Sequence, residues 1–213
     1  MSQKGGFFVS AWIWPVVIAL TALLAALVIA VTRRTAFSTR KLVLLSALTA
    51  VYVVLSMVGT LNLWWIRISV DSLPIILGAL LYGPAGGLLV GLVGSFLGQL
   101  LSYGLTATTG LWIAPAAVRG ALIGLYAQKK GYRLTTPQLI GVLCVTALIV
   151  TALNTLTMYL DSVAYGYYSF AYVFGGLLTR FAAGLATALV MAFIAPPVVG
   201  LLDRTLESAR DRD

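Results

Sequence analysis

Histidine is absent from this chain of 213 residues, and cysteine occurs once, as Cys144. Without imidazole there is no Ser–His triad, no histidine acid–base pair and no helical zinc-protease motif. With a single thiol there is no Cys/His zinc site and no intrachain disulfide. Charge is scarce too: charged residues make up 9% of the chain, against about a quarter in soluble domains. Of six carboxylates, Asp203, Glu207, Asp211 and Asp213 crowd the C-terminal tail, leaving Asp71 and Asp161 for everything before it. No Gly-rich run leads into Lys and Ser/Thr, so any ATP dependence has to come from other subunits. An enzyme is poorly served by this inventory, and no cofactor is expected.

What the chain has in quantity is apolar surface. Hydrophobic residues make up 61% of it, more than water can carry on a chain of this size, so most must face lipid. Breaks in the pattern divide it into segments of about 11–32, 41–58, 73–82, 85–103, 111–128, 137–160 and 172–202. A tight turn is predicted at Tyr82-Gly83-Pro84, and the third segment is short unless it includes the stretch from Ile66. Pro196-Pro197 is expected to kink or end the last segment. The fold class that follows is all-α integral membrane, with seven helices.

The formal net charge of +8 raises the question of nucleic acid, but the basic residues stand in three tight groups. These are Arg33, Arg34, Arg40 and Lys41; Lys129, Lys130 and Arg133; and Arg204, Arg210 and Arg212. Each abuts the end of an apolar segment, where positive charge fixes topology. With the N-terminus outside, ten of the fourteen Lys and Arg fall on the inner side, which predicts N-out, C-in. No basic patch with interleaved aromatics exists for nucleic acid. The first segment reads as a retained anchor rather than a cleaved signal peptide, because its apolar run is long and the positive cluster follows it.

A charged side chain in mid-membrane costs roughly 2.5–3.5 kcal/mol on the insertion scale and so needs a cavity or a partner. Arg67, Arg119 and Arg180 are such residues, with Asp71 nearby and Asp161 at the end of the sixth segment. Arg67 and Asp71, four apart, would share a face if helical and could pair. The remaining Arg surplus suits an anionic ligand, since guanidinium forks match carboxylate or phosphate; bonding to backbone carbonyls or snorkelling to headgroups serves equally well. Gln99 and Asn154 are amides inside apolar segments. With Tyr103, Trp112 and Tyr159 they could receive a planar, hydrogen-bonding ring system, although aromatic belts at membrane interfaces are common. Small-xxx-small spacings occur at Ser46 and Ala50 and at Gly87, Gly91 and Ser95, with Gly94 and Gly98. They allow close backbone approach, within the chain for the Gly-rich segment and more openly toward a partner for the earlier one.

The run from Leu73-Pro74 through Leu81-Tyr82-Gly83-Pro84 to Gly94-Ser95-Phe96-Leu97-Gly98-Gln99 resembles the helix–turn–helix signature of S components of energy-coupling factor (ECF) vitamin transporters. Asn154-Thr155-Leu156 and the Arg180-bearing last helix are similar to the folate subgroup. Folate-type chains usually carry an Asp where this chain has Gly94-Ser95, and a different loop from Thr109 to Pro115. Pantothenate, pyridoxine, cobalamin and queuosine-type S components share the architecture.

The resemblance implies a six-helix substrate-binding membrane domain over 40–204, preceded by an extra transmembrane helix and basic loop over 1–39 and followed by a charged cytosolic tail over 205–213. It further implies a high-affinity vitamin-binding subunit of an importer in the prokaryotic plasma membrane. This subunit would capture an anionic or amide-rich vitamin, folate by subgroup, outside and release it inside by toppling. Its partners would be a transmembrane coupling subunit and two ATPases that use the ATP, besides the lipid bilayer. Arg67, Asp71, Gln99, Tyr103, Trp112, Arg119, Asn154, Tyr159 and Arg180 are the expected ligand contacts, and Ser46, Ala47 and Ala50 the expected partner contacts. An autonomous secondary transporter is the main alternative. Proton or sodium coupling there would fall to Asp71. A membrane enzyme and a pure assembly scaffold are the others.

Overall fold

The computed structural model describes residues 12–33, 35, 37–58, 60–63 and 66–210, with the side chains of 60–69, 203 and 205–210 left aside. Helix α1 (Ile13–Thr32) and helix α2 (Thr39–Val58) come first. Each has twenty residues and is therefore about 30 Å long, the thickness of a bilayer's hydrocarbon core. Strands β1 (Thr60–Leu63) and β2 (Ile66–Ser69) follow, then α3 (Ser72–Tyr103), α4 (Thr109–Lys129), α5 (Thr136–Ala164), a short α6 (Phe170–Phe174) and α7 (Leu177–Arg210). Among the described residues, six helical stretches, with α6 and α7 counted as one, are long and apolar enough to cross a membrane. The protein is a multi-pass membrane protein.

The stretch from Ile66 is strand rather than an extension of the third segment. β1 and β2 pair antiparallel, with Asn62 opposite Arg67. The alternation Leu61, Leu63 and Ile66, Ile68 across a two-residue connection is the period of a hairpin, and β-branched residues favour it. Arg67 thus belongs to a strand and Asp71 to the turn before α3, so the expected pairing on a shared helix face does not apply.

The two segments predicted on either side of Tyr82-Gly83-Pro84 lie within α3, which is broken at Gly83 (φ 70°, ψ −157°). Only glycine adopts that backbone readily, and Pro84 then starts the second arm with its φ already set. The arms fold back on each other, Gly78 of the first lying against Gly86 and Val90 of the second. A Cβ on Gly83 would stand 2.5 Å from the Tyr132 hydroxyl, so this turn and the 130–133 loop lie at one end of the molecule. Lys41 stacks over Tyr82 at the same end, 6.0 Å from the ring centroid.

α3 and α4 make the most extensive contact in the protein. Their backbones meet at Gly87 and Gly120, where a Cβ on Gly120 would land on the Gly87 carbonyl; the small residues of the Gly-rich segment serve internal packing. A core of Ile76, Ile123, Leu143, Met191 and Ala195 joins these helices to α5 and α7. A second core, with Leu45, Leu48 and Tyr52, attaches α2. α1 adds a third, in which Ile13 and Val17 meet Leu111 and Leu160.

The proline pair does not end the last helix. α7 runs through Pro196-Pro197 to Arg210, so residues 205–210 of the expected tail are helical and 211–213 lie outside the described residues. Met191, Ala192 and Ala195, buried just before the prolines, hold the turn in which the proline nitrogens cannot donate. The preceding stretch is divided, α6 ending at Phe174, with Gly175 as its C-cap, before α7 begins.

Candidate functional site: a cavity around Arg119

Five helices and one turn enclose a cavity of about 390 Å³. α2 contributes Tyr52, and the turn before α3 contributes Asp71. From α3 come Ser72, Ile75 and Ser95, from α4 Trp112, Pro115, Ala116 and Arg119. α5 adds Ala147, Val150, Thr151 and Asn154, and α7 adds Arg180, Ala183, Gly184 and Thr187. The cavity thus lies wholly within the part of the chain that follows α1. Its volume falls in the ~300–1,000 Å³ range of small-molecule sites, and its lining is of that kind, mostly apolar with a few convergent polar groups.

Arg119 is the central polar group. It sits ten residues into α4, about 15 Å from the helix start, and so deep in the apolar layer. Its Nε and Nη2 are buried and have no hydrogen-bond partner among protein atoms. Asp71 and Tyr52 act on it electrostatically, and the Tyr52 hydroxyl is itself hydrogen-bonded to Ser95. Two buried guanidinium donors without partners, on a residue that lines the cavity, are costly to keep; an acceptor oxygen brought within their reach would satisfy them.

Arg180 is differently employed. Its Nε donates to the Gly176 carbonyl at 3.3 Å, Nη2 to the Val173 carbonyl and Nη1 to the Met158 sulfur. It lines the cavity while fastening α6 to the start of α7, which is the backbone-carbonyl role open to any intramembrane Arg. Trp112 also lines the cavity, with its Nε1 donating to Asp161 at 3.4 Å.

The structure therefore gathers Asp71, Trp112, Arg119, Asn154 and Arg180 of the expected contacts around one cavity. Gln99 is half-buried on α3 and is not part of the lining. Tyr103 is 78% exposed at the end of α3. Tyr159 packs edge-on against Tyr168, with centroids 5.5 Å apart. Arg67 has its backbone in β2, and its side chain lies outside the described residues. Tyr52, Ser95, Thr151 and Thr187 were not anticipated. Hydroxyls in apolar helices are a weak signal, since many return to their own backbone, as the Thr151 hydroxyl does to the Ala147 carbonyl.

Ser46, Ala47 and Ala50 are exposed on α2, on a face continued by Val43 and Val54. A second cavity of about 330 Å³ lies between α1, α4 and α5 and is lined by leucines such as Leu20, Leu24, Leu27 and Leu153. Pro115 borders both cavities.

No curated protein matches the chain. A family model described as ECF-type riboflavin transporter, S component, matches residues 36–203. It agrees with the ECF resemblance and gives no support to the folate subgroup. A member of this family is a binding subunit for transport, not an enzyme, and resides in the prokaryotic plasma membrane. The match covers everything from α2 through most of α7, the cavity included, and this chain belongs to the family of ECF-type riboflavin transporter S components.

Proposed function

We propose that the chain is a capture subunit for riboflavin or a close flavin relative, which it binds in the Arg119 cavity. The observation that carries this reading is the pair of unpartnered Arg119 donors. An isoalloxazine ring offers two carbonyl oxygens and an imide N–H on one edge and an apolar benzenoid edge on the other. Arg119 can donate to a carbonyl, and the Asn154 amide can both donate and accept on the same edge. Ala116, Ala147, Ala183 and Gly184 leave flat apolar room for a ring beside Trp112. Ser72, Ser95 and Thr187 provide hydroxyls for a neutral polyol chain. A folate fits less well with the described side chains: its two tail carboxylates would meet Asp71 and, among the described lining residues, one guanidinium, Arg119, with donors to spare, because Arg180 is occupied by backbone carbonyls.

The wider assignment belongs to the same proposal. Seven spans, with the α3 arms counted separately, would put the termini on opposite sides, and the basic groups argue for the N-terminus outside and the C-terminus inside. The Gly83 turn, the 130–133 loop and Lys41 then share the cytosolic end, in keeping with their basic residues. The exposed small-residue face of α2 suits a transmembrane coupling subunit, because only small side chains let another helix come close. Two ATPases would complete the importer.

The purified chain, without ATP or partners, is expected to bind riboflavin with one-to-one stoichiometry and to quench its fluorescence through Trp112. A flat titration, with no heat by calorimetry, would remove the flavin reading. Uptake by the chain alone in liposomes would favour an autonomous transporter instead.

A further inference from the structure

Asp161 is 8% exposed, and its neighbour Leu160 packs into the apolar cluster that α1 forms with Ile13, Val17 and Leu111. A carboxylate in such surroundings requires donors. It has three, from two parts of the chain: the Thr108 hydroxyl and Trp112 Nε1 at the start of α4, and the Tyr167 hydroxyl in the loop after α5. Thr108 occupies the N-cap of α4 yet makes no cap bond with its side chain; it gives up that stabilisation in order to reach Asp161. The amino end of α4, beside the carboxylate, adds a favourable dipole. Of the donors only Trp112 lines the cavity, and Asp161 does not touch it.

We propose that Asp161 is a positioning residue, one that fixes the Trp112 ring as a cavity wall and ties the 165–169 loop beside it. The inference rests on the reading of that cavity as the flavin site. The indole cannot turn without breaking its bond to Asp161, and the loop cannot lift without releasing Tyr167. Bound ligand therefore leaves past a wall that one carboxylate holds in place.

The experiment compares Asp161→Asn with the unaltered chain in two measurements. In ligand-free protein, hydrogen exchange should quicken about tenfold or more for amides of 105–112 and 162–169, and stay unchanged at 139–147 in the core. With riboflavin as probe, the dissociation rate should rise by about tenfold or more while the association rate changes less than threefold. Thr108→Val and Tyr167→Phe, each removing one donor, should give smaller effects in the same direction; they serve as the test if Asp161→Asn does not fold. Exchange that quickens throughout the core, or exchange and dissociation both unchanged, overturns the proposal. If the unaltered chain does not bind riboflavin, the flavin reading fails, and the exchange measurement alone still decides the role of Asp161.

Discussion

Replacing Arg119 by Met should move affinity and stability in opposite directions. Methionine preserves the length and helix preference of the side chain and removes its donors. Two charge-assisted hydrogen bonds, at roughly 1.5–3 kcal/mol each, give about 3–6 kcal/mol of lost binding. At 1.4 kcal/mol per decade this is a weakening of about 10²- to 10⁴-fold. Folding responds otherwise. In the unliganded protein Nε and Nη2 are buried without partners, so removing the guanidinium relieves a desolvation cost of several kcal/mol. The Coulomb attraction of Asp71 is lost in return. Asp71 is only half-buried, and that loss is the smaller term. The unliganded unfolding temperature in detergent should stay level or rise, and the upward shift produced by riboflavin should disappear. Arg119→Lys, which keeps the charge and loses the fork, should bind with intermediate strength. Affinity within threefold of the unaltered chain, or destabilisation of roughly 3–5 kcal/mol as for a broken buried pair, would refute the reasoning.

Other perturbations test separate parts of the structure. Gly120→Ala places a Cβ on the Gly87 carbonyl and should cost about 1–3 kcal/mol or prevent folding. Gly141→Ala, with nothing within 4 Å of its Cβ, should be neutral or stabilise α5 by up to about 1 kcal/mol; thermal unfolding distinguishes the two. Ala50→Trp on the exposed face of α2 should leave riboflavin affinity within twofold, yet abolish co-purification with a coupling subunit and uptake in cells. Partial burial, and then the hydrogen bond to Asp161, hold the Tyr167 phenol above its ordinary range. A raised folded-state value contributes stability that is complete below the unfolded value of about 10 and is lost as pH climbs beyond it. The gap in unfolding temperature between the unaltered chain and Tyr167→Phe should accordingly be level from pH 7 to 9 and narrow above pH 10.

Much of this architecture is legible from single residues. Gly83 and Pro84 marked the fold-back because glycine alone enters its backbone region easily and proline starts the next arm. The Gly-rich spacing from Gly87 predicted close helix packing, and Gly120 on α4 proved to be its partner. The hairpin was missed because four-residue strands inside an apolar chain offer only two alternations each, too few to stand out from flanking helices. Pro196-Pro197 did not end the helix, one of the two outcomes expected of it: proline is a breaker judged locally, whereas the buried alanines before it are a tertiary effect. In the cavity, the charged and amide residues were conspicuous because the membrane makes them costly, so Arg119 and Asn154 could be found. Tyr52 and Ser95 could not, since a tyrosine or serine in an apolar helix is ordinary until its neighbours are known. Asp161 was noticed as an acid at a helix end; two of the donors it collects, Thr108 and Trp112, lie 53 and 49 residues before it in the chain.

The contact of Gly87 with Gly120 also bears on how the protein can move. Where two helices touch through backbone alone, no rotamers exist to rearrange, and sliding either helix brings carbonyl against Cα at once. The α3–α4 pair accordingly has few internal degrees of freedom and moves as a single solid slab. The opposite wall of the cavity, by contrast, is stitched by long side chains, with Arg180 reaching three different acceptors. Side chains can exchange acceptors one at a time at modest cost. Any deformation of the cavity is thereby channelled into α6, the start of α7 and the loop before them, while the slab carrying Arg119 keeps its shape.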